Sequence, residues 1–339
     1  KLMSVVKSNA YGHGLIDFSR VVADLGVDWL GVDSIVEAIS LRNEGFTLPI
    51  LVLGYTPPAN FSFAAKNNIT LAVSSFDSLA LVFKFNEPLS IHLKLDTGMH
   101  RQGFLPERWA ELSGMLTKVP KNINIEGVFS HLAAADEERY RAQTQKQIKD
   151  FFGVASELEK VLNKKLLKHL GATKGTLGYP DCYGDMVRVG LGMYGLRPSP
   201  VNESPEGEKV KLTPVLTWKT IISEVKVSKD GGGVGYGFTG ELKIGGRMAI
   251  CPIGYWHGFP RALSNKGSVL VRGKRLPVLG RVSMDMIALD AESSPEIKVG
   301  DEVVIIGGGL PVEEMAKICG TSNYEIITRL NPLIHRIYK

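Results

Sequence analysis

The chain has 339 residues, 44% of them hydrophobic, and its 40 basic and 35 acidic residues give a net charge of +5. This length accommodates a large barrel and a second domain, and no apolar run is long enough to cross a membrane. The charges form no Lys/Arg block and the seven histidines show no metal-type spacing, which argues against a nucleic-acid-binding protein and against a metal site.

The cysteines and the start of the chain give information on the cellular compartment of the protein. The chain has three cysteines, an odd number, and none of them forms a C-x-x-C spacing: Cys182, Cys251 and Cys319. We therefore expect a reducing cytoplasm and no disulfide framework. The sequence opens inside a predicted strand without an initiator methionine, and we therefore expect further residues before Lys1.

The first predicted strand delivers one lysine to a glycine-rich turn. Residues 2–6 are mostly apolar, as in a strand buried on both faces, and Lys7 stands where that strand ends. Burial disfavours the ammonium form, which makes a lysine a nucleophile able to hold a carbonyl compound as a Schiff base. Tyr11 lies beside the turn of residues 12–14, whose backbone amides can approach a phosphate. On these residues alone, an ordinary surface lysine remains the alternative.

Residues 5–14, VVKSNAYGHG, resemble the pyridoxal-phosphate lysine motif of bacterial alanine racemases, which usually reads VVKANAYGHG. Only Ser8 differs from that form, and the resemblance continues through most of the chain. It implies that Lys7 binds pyridoxal 5'-phosphate and that Tyr11 helps to hold this cofactor.

Up to about residue 190, short apolar runs alternate with amphipathic stretches. Residues 18–25 repeat their apolar positions with a helical period and stop at Gly26, while Asp33 and Ser34 can cap a helix that ends at Gly45. Eight runs are predicted as strands, at residues 2–7, 29–32, 50–53, 70–73, 90–95, 125–129, 168–170 and 186–189. This alternation predicts an α/β fold, a (β/α)8 TIM barrel, whose active site lies at the carboxyl ends of the strands.

The pattern changes after about Val210. Strand-like runs separated by turn signals predict a smaller all-β C-terminal domain, with strands at residues 219–227, 248–252, 268–271 and 302–306. The linker is marked by Pro198, Pro200, Ser204, Pro205 and Gly207. We therefore expect a cofactor-binding barrel domain at residues 1–205 and a β domain at residues 206–339. This order resembles that of fold-type III pyridoxal-phosphate enzymes.

Lys94 and Arg101 follow the fifth predicted strand. Residues 92–101, HLKLDTGMHR, resemble the family segment L-K-x-D-T-G-M-x-R, with His100 where the family often has glycine. The resemblance implies that Arg101 contacts the cofactor's phenolic oxygen and the substrate carboxylate, for which a planar guanidinium is well suited. It also implies that Lys94 is carbamylated, which would turn a cation into an anion that holds the arginine. The alternative is an ordinary charge pair of Lys94 with Asp96.

Two further polar residues stand at strand ends in the barrel half. His131 resembles the family histidine near the cofactor ring, although a lone histidine at a strand end is more often a structural residue. Thr173 fills the position where the family has a phosphate-binding serine or threonine. We expect the neighbouring His169 to support the site without touching the cofactor.

Arg188 is the most diagnostic residue of the barrel half. Residues 186–195, MVRVGLGMYG, resemble the family segment M-V-R-x-G-x-x-x-Y-G. An arginine stays protonated near neutral pH, so at the pyridine nitrogen it keeps that nitrogen unprotonated and weakens the ring as an electron sink. This property suits a racemase. The amides of Gly190 and Leu191 are implied to form part of the phosphate site.

Racemisation requires proton removal on one face of the substrate and proton return on the other, so a second acid/base group is needed. Residues 235–237, GYG, resemble the family segment whose tyrosine faces the cofactor lysine and arrives from the partner subunit. The resemblance thus implies that Tyr236 is catalytic and that the protein is a homodimer with shared active sites. Residues 235–240 also satisfy G-x-G-x-x-G, but β-type sequence follows them, so we reject a dinucleotide site.

Two later segments complete the resemblance. Residues 253–255, IGY, match the family's I-G-Y, with His257 where aspartate is usual, and residues 281–285, RVSMD, resemble R-x-C-M-D. Tyr255 and Met284, the latter through its backbone amide, are implied to bind substrate, with Asp285 at the entrance. Many family members have a pocket-closing tyrosine at the position of Pro332.

These residues lead to the expectation of a pyridoxal-phosphate alanine racemase that supplies D-alanine for peptidoglycan. Lys7 would act on the D face of the substrate and Tyr236 on the L face. A racemase of broader specificity, acting on serine as well as alanine, is the first alternative because of Pro332. A non-catalytic pyridoxal-phosphate carrier and a decarboxylase of the same fold type are less favoured, since the β domain and Arg188 are both present.

Overall fold

The computed structural model describes residues 1–135, 137–198 and 210–339, which form two compact units. The first unit comprises Lys1–Ala10 and Gly14–Thr213, and the second comprises Tyr11–His13 and Pro214–Lys339. The predicted boundary between residues 205 and 206 lies outside the described residues, as do the linker residues Pro200, Ser204, Pro205 and Gly207. That boundary therefore stays a prediction.

The first unit is built on eight parallel strands, and the predicted barrel is confirmed. The strands are β1 (Leu2–Val5), β2 (Trp29–Val32), β3 (Ile50–Val52), β4 (Ile69–Val73), β5 (Leu89–Lys94), β6 (Ile123–Phe129), β7 (Leu167–His169) and β8 (Val187–Val189). Their order is β7-β6-β5-β4-β3-β2-β1-β8, and each strand is hydrogen-bonded to its neighbours in this order. The sheet nearly closes on itself, because the Arg188 amide donates to the Gly171 carbonyl at 2.8 Å beside β7.

Helices cover this barrel, and a few of them begin at a capping serine or end at a glycine. They are α1 (Leu15–Asp24), α2 (Ile35–Asn43), α3 (Phe61–Lys66), α4 (Phe76–Phe83), α5 (Trp109–Leu116), α6 (Arg141–Leu162) and α7 (Thr173–Gly178). The Ser34 hydroxyl accepts from the Glu37 amide and caps α2, as expected from the sequence. Gly26 and Gly45 follow α1 and α2 with φ of +86° and +83°, a conformation that glycine adopts without strain.

The second unit contains an antiparallel sheet of seven strands and a separate two-stranded ribbon. The strands are β9 (Trp218–Ile221), β10 (Glu224–Val227), β11 (Gly232–Val234), β12 (Gly240–Leu242), β13 (Arg247–Cys251), β14 (Ser268–Val271), β15 (Lys274–Leu279), β16 (Ile287–Asp290) and β17 (Glu302–Ile306). The large sheet runs β10-β13-β16-β15-β14-β17-β9, and β11 pairs with β12. The smaller β domain is thereby confirmed, and two helices, α8 (Val312–Cys319) and α9 (Asn323–Thr328), add to it near the C terminus.

One predicted strand of this unit is wrong in detail. Residues 219–227 form two strands, because the chain changes partners between them: β9 pairs with β17 and β10 pairs with β13. At the break, the Ile222 amide donates to the Asp301 carbonyl at 2.9 Å and the Ser223 amide donates to the Ile250 carbonyl at 2.8 Å. Within the described residues, no helix is both long and apolar enough to span a membrane.

Candidate active site

Lys7 follows β1 and pairs with a carboxylate that follows the neighbouring strand. Its Nζ lies 3.1 Å from Asp33 Oδ1, and 37% of the lysine side chain and 56% of the aspartate side chain are exposed. Sequence reasoning assigned Asp33 only to helix capping. Its position directly after β2 was the available signal, since the carboxyl ends of adjacent parallel strands lie side by side.

The chain after Lys7 turns through a left-handed conformation that is rare for residues with side chains. Ser8, Asn9, Ala10 and Tyr11 all have φ between 51° and 57°, at a cost of roughly 1–2 kcal/mol per residue. The Ala10 amide donates to the Val6 carbonyl at 2.8 Å, and the Asn9 side chain accepts from the Leu15 amide at 2.9 Å. Strain of this kind is typical of functional sites that the surrounding structure holds in place.

Tyr11, predicted to contact the cofactor, belongs to the second unit together with the two residues after it. Its ring lies 5.9 Å from the ring of Tyr324. The Gly12 carbonyl accepts from the Arg336 guanidinium at 2.7 and 3.0 Å. The glycine-rich turn is therefore anchored by the C-terminal part of the chain.

Lys94 ends β5 with a buried side chain, and its Nζ donates to Gln102 Oε1 at 2.9 Å. Burial first, and then neighbouring cations, lower the pKa of the Lys94 amine to about 8. Those cations are Arg101, Arg188 and Lys7. The low pKa leaves a larger neutral fraction near pH 7 than an ordinary lysine has.

The alternative charge pair of Lys94 with Asp96 is not formed. Asp96 Oδ1 instead accepts from the amides of Gly98, Met99 and His100 at 2.9 to 3.0 Å. His100 adopts φ +53°, which explains why glycine suits this position in the family. The turn after β5 is thus fixed by Asp96, and Lys94 keeps a different partner.

Arg101 and His131 lie near the same group of charges. Arg101 is exposed and forms no hydrogen bond or ion pair with any other described residue, so its guanidinium is available to a ligand. Burial first, and then the surrounding cations, lower the pKa of the His131 imidazole to about 3. His131 is therefore neutral near pH 7, in a site that concentrates positive charge and favours an anionic ligand.

Arg188 is buried and most of its donors are satisfied by the barrel. Its NH1 group donates to the His169 carbonyl at 2.6 Å and to His169 Nδ1 at 3.0 Å. Its NH2 group donates to the carbonyls of Ser130 and Leu170 at 2.6 and 3.1 Å. Burial lowers its pKa to about 10, so the guanidinium remains protonated near pH 7. The Nε–H group has no acceptor in the described part of the chain.

Thr173 and the loop after β8 lie together at the end of the barrel. Thr173 Oγ1 accepts from the amides of Gly190 and Gly192, each at 3.2 Å. A side chain on Gly192 would crowd Thr173 Cγ2 at 2.9 Å. Leu191 opens a short 3-10 helix, whose first amides have no partner within the helix. This arrangement offers hydroxyl and amide donors to an anion.

Tyr236, in the second unit, is 71% exposed. The loop that carries it packs against residue 281, because a Cβ on Gly235 or Gly237 would lie 3.3 or 3.2 Å from Arg281 atoms. The chain continues into β12, not into a helix, which agrees with the rejection of a dinucleotide site.

The other predicted residues of this unit lie on segments that pack together. The amides of Tyr255 and Trp256 donate to the carbonyls of Ser283 and Met284 at 3.1 and 3.0 Å. The Met284 amide has no acceptor among the described residues, so it remains a donor. Its neighbour Asp285 is exposed.

His257 and Pro332 join the same cluster of segments. His257 Nδ1 accepts from the Gly254 amide at 3.1 Å, and its carbonyl accepts from the Asn331 amide at 3.2 Å. This second bond places the segment of Pro332, which is exposed, beside the loop of Tyr255. The structure therefore brings together Tyr255, Met284 and Pro332 by way of their backbones.

Comparison with known proteins covers both units. Residues 1–198 match the family model of the alanine racemase N-terminal domain, and residues 215–338 match that of the C-terminal domain. The alanine racemase of Desulforamulus reducens is 39% identical over an alignment of 345 positions, which covers 100% of this chain and 92% of that protein.

Solved structures give the same result. The alanine racemase of Clostridium difficile 630 has a TM-score of 0.92 at 34% identity, covering 100% of this chain and 89% of that one. The alanine racemase of Bacillus anthracis with bound L-Ala-P has a TM-score of 0.89 at 33% identity, covering 97% of this chain and 86% of that one. The chain belongs to the alanine racemase family.

Proposed function

We propose that this enzyme interconverts L-alanine and D-alanine with pyridoxal 5'-phosphate and so supplies D-alanine for peptidoglycan. The observation that carries the proposal is Arg188, a buried guanidinium in the middle of β8 whose Nε–H group alone lacks an acceptor among the described residues. A pyridine nitrogen is an acceptor of the kind this donor requires.

The residues of the barrel fit the phosphate of the cofactor as well. Because Thr173 Oγ1 already accepts from two amides, its hydroxyl proton is left to donate to an anion. The Leu191 amide supplies another donor at the start of its 3-10 helix. Lys7, Arg101 and Arg188 give this end of the barrel the positive charge that a phosphate requires. When bound, pyridoxal phosphate withdraws electrons from the substrate Cα and makes its hydrogen acidic.

The proton transfers are assigned to two residues. Lys7, at the end of β1, would hold the cofactor and move the proton on the D face. Tyr236 of a second subunit would move the proton on the L face. Neutral His131 would lie beside the cofactor ring, where it can accept a hydrogen bond from a neighbouring donor.

A homodimer is supported by the exposed apolar surface of the second unit. Several large apolar side chains of this unit have more than two fifths of their surface exposed. They include Tyr236, Phe238, Tyr255, Trp256, Met284 and Met286. Exposed aromatic residues and methionines in this number are typical of a subunit interface. These side chains include Tyr236, the residue that is proposed to act in the partner's site.

The substrate carboxylate would be bound by the Arg101 guanidinium and the Met284 amide, with Tyr255 beside it. Both donors are without a protein acceptor among the described residues. Asp285 would stand at the entrance. Because Pro332 cannot close the pocket as the tyrosine of many relatives does, a racemase that also accepts serine is the second candidate.

The free cysteines support a reducing cytoplasm as the place of action.

The assignment of the two faces is tested by hydrogen exchange in D2O. Tyr236→Phe keeps Lys7, so we expect it to exchange the Cα hydrogen of D-alanine while losing racemisation and exchange of L-alanine. Lys7→Ala should lose both the cofactor colour and all exchange. Exchange of L-alanine by Tyr236→Phe at the wild-type rate would remove Tyr236 as the base of the L face.

A further inference from the structure

Arg188 is one end of a line of hydrogen-bonded side chains inside the barrel. His169 Nδ1 lies 3.0 Å from Arg188 NH1, and His169 Nε2 lies 2.8 Å from Nδ1 of His92 on β5. Beyond these two hydrogen bonds, His92 Nε2 has no hydrogen-bond partner among the described residues, and the nearest carboxylate oxygen, Oε2 of Glu126 on β6, lies 3.6 Å away. Both imidazoles are fully buried. Two hydrogen bonds therefore join the buried cation to His92, whose far nitrogen faces a carboxylate.

The direction of every donor in this line follows from Arg188. A guanidinium has no acceptor, so NH1 must donate and His169 Nδ1 must be unprotonated. The proton of neutral His169 is then on Nε2 and is donated to His92 Nδ1. The proton of neutral His92 is consequently on Nε2, the nitrogen nearest to Glu126. Burial lowers the pKa of both histidines, which agrees with two neutral rings.

Packing holds both rings in the orientation that these bonds require. The His169 ring stacks on Phe129 with centroids 5.0 Å apart and planes 7° apart. The His92 ring lies 5.4 Å from Trp29. Gly127 makes room for it, because a Cβ there would lie 2.8 Å from His92 Cε1. Neither ring can rotate freely.

Glu126 reaches the line because of an irregularity in the parallel sheet. Ile91 pairs with Ile125 but His92 pairs with Gly127, so Glu126 is an extra residue in β6. Such bulges redirect a side chain. Glu126 also accepts from Thr70 Oγ1 at 3.3 Å and lines a cavity of about 350 Å³ with residues at the amino ends of the barrel strands. The proximity of the His92 imidazole lowers the pKa of the Glu126 carboxyl, so Glu126 is ionised near pH 7.

We infer that His92 and Glu126 are positioning residues that hold His169 as an acceptor for Arg188 and so fix the Nε–H group of Arg188 toward the cofactor. The inference rests on the proposed function, since the cofactor is what the free Nε–H group would meet. Neither residue touches the substrate. Glu126 faces the amino ends of the strands, whereas the cofactor site lies at their carboxyl ends. The two residues therefore act on the site from a distance.

Two substitutions of His92 distinguish its hydrogen bond with His169 from its contact with Glu126. In His92→Asn, the side-chain oxygen takes the place of Nδ1, so the acceptor for His169 is kept and the link to Glu126 is lost. In His92→Gln, the amide reaches the place of Nε2, so the link to Glu126 is kept and the acceptor for His169 is lost. We measure cofactor release from the holoenzyme on dialysis, the absorption spectrum of the bound cofactor, and the ¹⁵N resonances of His169.

His92→Gln is expected to release cofactor about tenfold faster than wild type, to shift the absorption spectrum and to move the His169 resonances. His92→Asn should stay within about twofold of wild type in the release rate, because the bond to His169 remains. Equal behaviour of the two variants would overturn the inference. If the wild-type holoenzyme does not racemise alanine, the proposed function fails, while the release rates and resonances still test the positioning role.

A second pair covers the case in which His92→Gln does not fold. Glu126→Gln keeps an acceptor for His92 and should leave the cofactor spectrum unchanged. In Glu126→Leu, no carboxylate keeps the proton of His92 on Nε2, so Nδ1 can carry the proton and cease to accept from His169; we expect a shifted spectrum and faster cofactor release. The inference is wrong if Glu126→Leu matches Glu126→Gln in both measurements.

Discussion

At the scale of single residues, Lys94 combines a low pKa with a position among cations. A neutral amine attacks CO2, forming an N–C bond and releasing a proton, and the product is a carbamate anion. With a pKa of about 8, roughly a tenth of Lys94 is neutral at pH 7. The resulting anion would relieve the crowding of positive charge near Arg101 and Arg188. This chemistry is why we propose carbamylation at Lys94.

The carbamate is tested by ¹³C NMR with labelled bicarbonate. We expect one protein-bound carbamate resonance at pH 8 that weakens as the pH falls below 7, because protonation of Lys94 removes the reactive amine. Lys94→Gln should lack the resonance, and Lys84→Gln, which changes a lysine outside the site, should keep it. A wild-type spectrum without this resonance at pH 8 would contradict the proposal.

Pro332 belongs to the same scale, because we propose that the side chain at this position sets whether substrates larger than alanine are admitted. We expect Pro332→Tyr to raise the ratio of kcat/KM for alanine to kcat/KM for serine by about tenfold, since it would fill the pocket. Leu333→Tyr places the same ring one residue later on a side chain that is 82% exposed, and serves as the control. An unchanged ratio in Pro332→Tyr would show that this position does not set specificity.

The sequence predicts site residues where a strand ends and fails where a contact depends on distant packing. Arg188 could be found from its segment, and its burial and partners agree with the role expected for it. Glu126 could not be found, because it reaches His92 only through a bulge in β6. Gln102, the partner of Lys94, stands in an irregular loop without any periodic signal.

At the scale of elements, the turn after β1 depends on a glycine that packs against the C-terminal helix α9. Gly12 has φ +82°, and a Cβ there would collide with the Ile327 carbonyl group. We expect Gly12→Ala to destabilise the protein by roughly 3 kcal/mol or more, through strain and steric overlap together. Thermal unfolding followed by circular dichroism measures this as a lower apparent midpoint.

Gly26 provides the matched control for that substitution. It has φ +86°, but a Cβ on this residue would meet no atom within 4 Å, so only the backbone strain applies. Gly26→Ala should therefore cost only about 1 kcal/mol. Equal shifts of the midpoint in the two variants would mean that the packing of Gly12 on α9 does not matter for stability.

The elements themselves were predictable to different degrees. The barrel strands were all found because each is a short apolar run bounded by helical periodicity, and their order follows the chain. The sheet of the second unit pairs strands distant in sequence, such as β9 with β17. The break at Ile222 was therefore missed, since the pairing partners of β9 and β10 decide it.

At the scale of the whole molecule, the proposed dimer with shared active sites predicts that two inactive variants restore each other. In a dimer of one Lys7→Ala and one Tyr236→Phe subunit, one site carries both defects and the other carries neither. Random exchange makes half of the dimers mixed, so we expect about a quarter of wild-type activity. Mixing the variants after unfolding and refolding together measures this.

Each variant refolded alone is the control, and neither should regain activity. Activity in the mixture that does not exceed the sum of the two controls would show that Lys7 and Tyr236 act within one subunit. The exposed aromatic side chains of the second unit would then need another explanation.

Racemisation of alanine by this chain can be followed by optical rotation. Purified protein loaded with pyridoxal phosphate is added to pure L-alanine, and a parallel sample receives D-alanine. We expect both rotations to decay to zero as the two enantiomers become equal, and Lys7→Ala to leave both unchanged. Constant rotation in the presence of the wild-type protein with its cofactor bound would contradict the proposed function.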